Sequence, residues 1–218
     1  CPGFVDVMDC DYTTFHLPDN TSQIPGSEFA KQIWHLSGKA RENKILDFIL
    51  SGNIPDFLRD MKPIVVEEYG ARIRYRETPD VMCVGTNTDY LRIPMTPTSA
   101  QIICDAANTS LPTAKMSDQI WKAATKLSPI TMTPNAAMVT TGVYYEHNKL
   151  INKQLGSYTG DLIAGHKKDT ILGNKLAPNN SKKKVLIYGW HQKNGKPLQP
   201  ISDVHDLNYV DYADCARL

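Results

Sequence analysis

Segments with helical spacing and segments with strand spacing follow one another in blocks along this chain, without strict alternation, and this ordering constrains the fold most. Regular strand–helix–strand alternation would build a doubly wound parallel sheet. Blocks predict an α+β fold with a helical N-terminal part, an antiparallel sheet and mixed C-terminal strands. Ser27 is placed to cap a helix over 28–36, and Ser37 or Gly38 to start a second through Leu50. Asn53-Ile54-Pro55 puts a proline into the first turn of a short helix over 56–61. Period-2 patterning then predicts an antiparallel meander of strands over 64–69, 71–76, 81–84 and 90–93, with Arg72, Arg74 and Arg76 alternating with Ile73 and Tyr75. Thr96-Pro97 opens a helix through Ala107, and 113–127 is a second with Met116, Ile120, Ala124 and Leu127 on one face. The rest reads as a strand over 136–145, a short helix over 147–155, and strands over 162–164, 185–190 and 209–213. Residues 1–26, rich in Asp, Thr and Pro, read as an extended arm, and 27–218 as a single globular domain.

Composition removes whole classes of function. With 41% hydrophobic and 22% charged residues, the chain can bury a core. No apolar run approaches the roughly 18 residues a membrane-spanning helix needs. A formal net charge of +1 excludes a uniformly basic nucleic-acid binder. Cys1 in place of Met reads as a processed end, which favours export, secreted or cell-surface location and loss of a signal segment; it also fits a lipid anchor at Cys1. Asn20, Asn108 and Asn179 head N-glycosylation patterns. Five cysteines cannot all pair within one chain; Cys1 with Cys10 and Cys83 with Cys104 are the expected disulfides.

Polar chemistry concentrates in the last third. Between Lys149 and Lys196 there are ten lysines against only Asp161 and Asp169, a basic rim suited to an anionic or carbohydrate polymer. His166 follows a short apolar strand in Gly165-His166-Lys167-Lys168-Asp169. A carboxylate three residues on can fix the tautomer of a general base, and Lys167 can stabilise a developing oxyanion. His191 stands where the strand over 185–190 leaves its sheet for the Asn194-Gly195 turn, a strong hairpin signal. His205 and Asp211 complete the candidate catalytic set, and Tyr188, Trp190, Gln199, Tyr209 and Tyr212 are the candidate substrate contacts. The histidines lack metal-ligand spacing, so no metal or other cofactor is expected, although composition permits a divalent ion. Cys215 with Arg217 is partly similar to the Ser-His-Gly-Cys-x-Arg end of L,D-transpeptidases, but Tyr212-Ala213-Asp214 replaces Ser-His-Gly, and Asp214 disfavours a thiolate. Cys215 therefore reads as a disulfide partner or a small buried apolar group.

The segments Val84-Gly85-Thr86 through Pro94, Leu111-Pro112-Thr113 with Lys115-Met116, Ala164 through Asp169, Tyr188-Gly189-Trp190-His191 through Gln199-Pro200, His205, and Tyr209-x-Asp211-Tyr212 together resemble a widespread family of exported proteins. The resemblance covers most of the chain after the arm. Bacterial members carry Ser-His-Gly-Ile-Arg where this chain has Ala213-Asp214-Cys215-Ala216-Arg217, which argues against Cys215 as an essential nucleophile. It implies secretion and a polar site near the C-terminus, and supplies no reaction. The leading expectation is a monomeric secreted hydrolase of a cell-envelope or extracellular polymer using His/Asp acid–base chemistry. The competing expectations are a non-catalytic glycan-binding or surface module and a disulfide-stabilised interaction protein.

Overall fold

The computed structural model describes residues 15–176 and 183–218 and has the α+β architecture. α2 (Gly38–Leu50) starts after Ser37. α3 (Pro97–Ala107) is capped by Thr96, whose Oγ1 accepts from the Ser99 amide at 3.3 Å, and ends at Asn108 in the left-handed region. α4 (Ala114–Ala123) is capped by Thr113. α1 (Gly26–Gln32) begins and ends early: Ser27 gives its backbone and hydroxyl hydrogens to Asp89 instead of capping, and Trp34 beyond its end is 44% exposed. The short helix after Pro55 is a 3₁₀ turn, Asp56–Arg59.

One helix replaces an expected strand. α5 (Thr141–Leu155) contains the expected short helix over 147–155 and extends it back through 141–145, the second half of the expected strand, while Ala136–Val139 is a 3₁₀ turn. Tyr144, His147, Asn148 and Ile151 recur at helical spacing and are all buried, so tertiary packing overrides local preference.

The expected meander is two separate hairpins, β1 (Lys62–Glu68) with β2 (Ala71–Glu77), and β3 (Cys83–Gly85) with β4 (Tyr90–Arg92). The C-terminus causes the break: the Thr78 and Met82 amides donate to the Leu218 and Ala216 carbonyls, each at 2.8 Å, so the chain end takes the place of a pairing between β2 and β3. β5 (Thr125–Lys126) pairs in parallel with β6 (Ile163–Ala164), which stops α4 short of residue 127. A mixed four-stranded sheet has the order β10 (Asp214–Cys215), β7 (Lys168–Thr170), β8 (Ile187–His191), β9 (Pro197–Ser202), with β10 parallel to β7 and the other pairs antiparallel. The Asn194-Gly195 turn joins β8 to β9 as expected. Residues 209–213 do not form a strand, because the Asp211 carboxylate accepts from the Ala213 amide at 2.8 Å and the Asp214 carboxylate accepts from the Asp211 amide at 2.9 Å.

A continuous apolar core joins Leu17, the helices α1 to α3, the β3–β4 hairpin, Trp190, Tyr212 and Leu218. Cys83, Cys104 and Cys215 lie buried as free thiols, which corrects the expected Cys83–Cys104 disulfide. Cys83 Sγ contacts the Val81 carbonyl at 3.1 Å, and Cys104 sits on the packed face of α3, where each thiol fills space as a small hydrophobe. Cys1, Cys10 and Asn179 lie outside the described residues, and with them the other disulfide, the lipid anchor and one glycosylation pattern. The Asn20 amide is buried, donating to the Ile54 and Gly85 carbonyls. No helix among the described residues is long and apolar enough to cross a membrane.

Candidate functional site

The site grows from an irregularity in β8. A register shift between Ile187 and Gly189 is followed by Gly189 at φ 102° and by Trp190 at φ 54°, a left-handed conformation that is costly for a bulky residue. In a regular strand Tyr188 and His191, three residues apart, would face opposite sides. Here both reach one carboxylate: Asp118 Oδ1 accepts from the Tyr188 hydroxyl and pairs with His191 Nε2, each at 2.8 Å. Trp190 turns to the interior against Tyr212, at 6.1 Å between ring centres. The Asp118 side chain is 45% exposed and that of His191 only 4%, so the imidazole is sheltered and its partner is open to solvent.

α4 supplies more than the carboxylate. Trp121, one turn from Asp118, stacks on the His191 ring at 5.6 Å, while Tyr188 meets that ring edge-on at 5.5 Å. Lys126 Nζ stands 4.9 Å over the other ring system of this stack, Trp121, and donates to the Lys122 and Ala124 carbonyls. The β8–β9 turn closes on Trp121 so tightly that a Cβ at Gly195 would come within 3.3 Å of the indole. His191 is thus held on three sides, and its Nδ1 has no hydrogen-bond partner among the described residues.

The second carboxyl group comes from β7. A Cβ placed on Gly189 would lie 3.5 Å from His191 Nδ1 and 3.7 Å from Asp169 Oδ2, so these two groups flank the same bare stretch of backbone. Burial raises the Asp169 carboxyl above its usual range, opposed by Arg217 and by the Ser117 hydroxyl. Arg217 Nε lies 3.8 Å from Asp169 Oδ1, and its other nitrogens donate to the Thr78 and Ile163 carbonyls. A nearby cleft of about 360 Å³, lined by Ser128, Pro129, Gln192, Lys193 and Leu198, begins one residue after His191.

The other sequence-derived candidates do not join this cluster. His166 is in the interior, its Nε2 2.9 Å from Asp80 Oδ1. Burial lowers the His166 pKa to about 4 despite Asp80, so the ring is neutral, donates from Nε2, and leaves Nδ1 buried without a partner. Lys167 is buried with Nζ on the Tyr212 carbonyl, and burial lowers its pKa. Asp211 is buried against Lys168, whose Nζ also meets Asp214 at 2.9 Å. His205 stacks flat on Tyr209, with 3.9 Å between ring centres, in the loop after β9. Tyr212 is in the core, its hydroxyl accepting from the Met132 amide, and the Gln199 amide donates to the Pro200 carbonyl. Among the described residues, no group of three or more His, Cys, Asp or Glu side chains could hold a metal ion.

Sequence reasoning missed Asp118, Trp121, Ser117 and the Asp80–Arg92 pair. Asp118 and Trp121 share i, i+3 spacing on the face of α4 beside its apolar stripe, but nothing local distinguishes that carboxylate from a solvated one. Comparison with known protein families, with curated proteins and with solved structures finds no match for this chain.

Proposed function

We propose that this protein is an exported hydrolase of an anionic extracellular or cell-envelope polymer, with His191 as general base and Asp118 as its orienting partner. The observation that carries this reading is the position of His191 between two carboxyl groups, Asp118 on Nε2 and Asp169 across Gly189 from Nδ1. In the reaction, Nδ1 removes a proton from water as the water oxygen bonds to the electrophilic centre. The bond to the leaving oxygen breaks, and that oxygen takes a proton from Asp169, which burial favours in its acid form. The imidazolium then returns its proton to Asp169. Lys126 beside Trp121 and Lys193 in the adjacent cleft supply positive charge for an anionic chain. The resemblance to exported proteins supports an extracellular or cell-surface setting.

The test is release of new chain ends from acidic polysaccharides and from purified cell-wall polymer. His191→Ala should lower the rate per folded molecule by about 10²-fold or more. Saturable sugar binding without turnover by the wild-type protein would favour a binding module, and equal rates for wild type and His191→Ala would overturn the assignment.

A further inference from the structure

One buried cation faces two buried carboxyl groups beside the His191 cluster. Residues 214–218 run between β7 and the stretch that follows β2: Cys215 is the register partner of Asp169, and the Thr78 amide donates to the Leu218 carbonyl at 2.8 Å. This path puts the Arg217 guanidinium within reach of Asp169 and of Glu77, the last residue of β2. Its Nη1 and Nη2 are anchored on the Thr78 and Ile163 carbonyls at 3.1 and 2.9 Å, and its Nε lies 3.8 Å from Asp169 Oδ1. Glu77 and Arg217 are each 2% exposed, Asp169 9%. Glu77 forms no ion pair among the described residues. Its Oε1 accepts from the Thr78 hydroxyl at 3.3 Å, and the oxygen of that hydroxyl accepts from the Leu218 amide.

One guanidinium neutralises one carboxylate. Ionising both acids would leave an uncompensated negative charge in the interior, so the second carboxyl keeps its proton. Burial raises both groups, and the Asp169 charge adds to the rise at Glu77 against the pull of Arg217. The neighbours do not supply a second cation. Lys62, opposite Glu77 in β1, is paired with Asp60, and Tyr75 and the Cys104 thiol are neutral. Asp169 also faces the Ser117 hydroxyl, the Cys215 thiol and the His191 ring, whose Nε2 is held by Asp118.

We propose that Glu77, Arg217 and Asp169 act as one unit that stores a single proton at neutral pH beside His191. Whichever carboxyl ionises first takes the Arg217 charge, and the other ionises only at higher pH, so the two titrate as a pair. Asp169, across Gly189 from His191 and the more exposed of the two, is the exit for this proton; Glu77 is a positioning residue that acts through it. The use of the proton rests on the hydrolase reading: it passes from Asp169 to the leaving oxygen, and the His191 imidazolium restores it there. Its storage does not depend on that reading.

The experiment is a ¹³C-carboxyl NMR titration of the full chain from about pH 4 to about pH 9, with Glu77 and Asp169 assigned from Glu77→Gln and Asp169→Asn. Two coupled steps are expected, the upper at least about one pH unit above the ordinary glutamate range. Each substitution mimics a protonated carboxyl in shape, and each should abolish the upper step. In Asp169→Asn the Glu77 step should move down by at least about one pH unit. A Glu77 with a merely structural role would titrate at the same pH in Asp169→Asn as in the wild type, and that result would overturn the proposal. So would two independent steps below about pH 5 in the wild type. Two coupled steps in a protein that releases no chain ends would uphold the stored proton and overturn the hydrolase reading.

Discussion

His166 Nε2 lies 2.9 Å from Asp80 Oδ1, and both side chains are wholly buried. Asp80 also receives Arg92 through Nε at 2.8 Å and Nη2 at 2.7 Å, and the Val81 amide at 2.7 Å. Burial alone would raise the Asp80 carboxyl, but Arg92 and His166 hold it far below the usual carboxylate range. Arg92 reaches on to Asn148 and Asn152 of α5. His166, one of the three candidate catalytic histidines of the sequence, is therefore a member of the network that ties β4, α5 and the 78–82 turn together.

Removing the hub of that network should be severe. Asp80→Ala leaves the Arg92 charge buried without its carboxylate, which costs about 3–5 kcal/mol. Urea unfolding should show a midpoint reduced accordingly, or no folded protein at all, whereas Asp118→Ala, at a half-exposed carboxylate, should shift stability by no more than about 1 kcal/mol.

Acid should expose the buried histidines. Burial lowers the His147 pKa to about 2, as its Nε2 contacts the Ile130 carbonyl at 2.9 Å inside the core. The unfolded chain protonates this residue near pH 6.5 and the folded chain does not, so its contribution to stability is complete above pH 6.5 and declines as pH falls toward 2. Glu77 acts in the opposite sense: burial raises its carboxyl well above 4.5, so stability from it falls as pH rises above that value. His147→Gln should flatten the acid-side decline by about 1.4 kcal/mol per pH unit between pH 6 and 4, and Glu77→Gln should steepen it. Denaturant titrations across this range measure both slopes.

Asp118→Asn tests orientation separately from protonation. The amide can still contact Nε2 but no longer carries the charge that favours a proton there, so the ¹⁵N signals of the His191 ring should report a changed tautomer ratio. Hydrolysis should fall by about 10²-fold with the melting temperature nearly unchanged.

The thiols of Cys83, Cys104 and Cys215 should resist alkylation in the native protein. Burial pushes Cys104 up to about 11 and Cys215 up to about 12, and it raises Cys83 well above its usual range. Iodoacetamide at pH 8 followed by peptide mapping should find these three positions unlabelled before unfolding and labelled after it.

Gly165 is the point where a methyl group should do most harm. Its φ is 97°, and a Cβ there would collide with the Leu127 carbonyl and come within 2.9 Å of the His191 carbonyl. Gly165→Ala should destabilise the protein by at least about 2 kcal/mol and displace His191, lowering activity beyond what the loss of folded protein explains.

Features set within a few residues were legible in the sequence: Thr96 caps α3, α2 starts after Ser37, and Asn194-Gly195 turns β8 into β9. Capping and turn formation are local energies, and they mark their positions whatever surrounds them. His191 could be singled out for the same reason, as it stands at the strand end before that turn. Where each histidine sits and which group it faces were settled by burial and partner choice. His166 meets Asp80 from 86 residues away and is desolvated, whereas His191 meets Asp118 from 73 residues away beside open solvent. The first turns of α5 show the same limit: 141–145, read as strand, extend the helix expected over 147–155 and put Thr141 and Tyr144 on its buried face. The starts of α2 and α3, the hairpin turn and the α+β class were determined by the sequence itself, since they depend on the order and spacing of neighbouring residues. The tertiary structure decided which carboxylate each histidine faces and which lysines lose their water, because desolvation and ion pairing depend on where distant parts of the chain return.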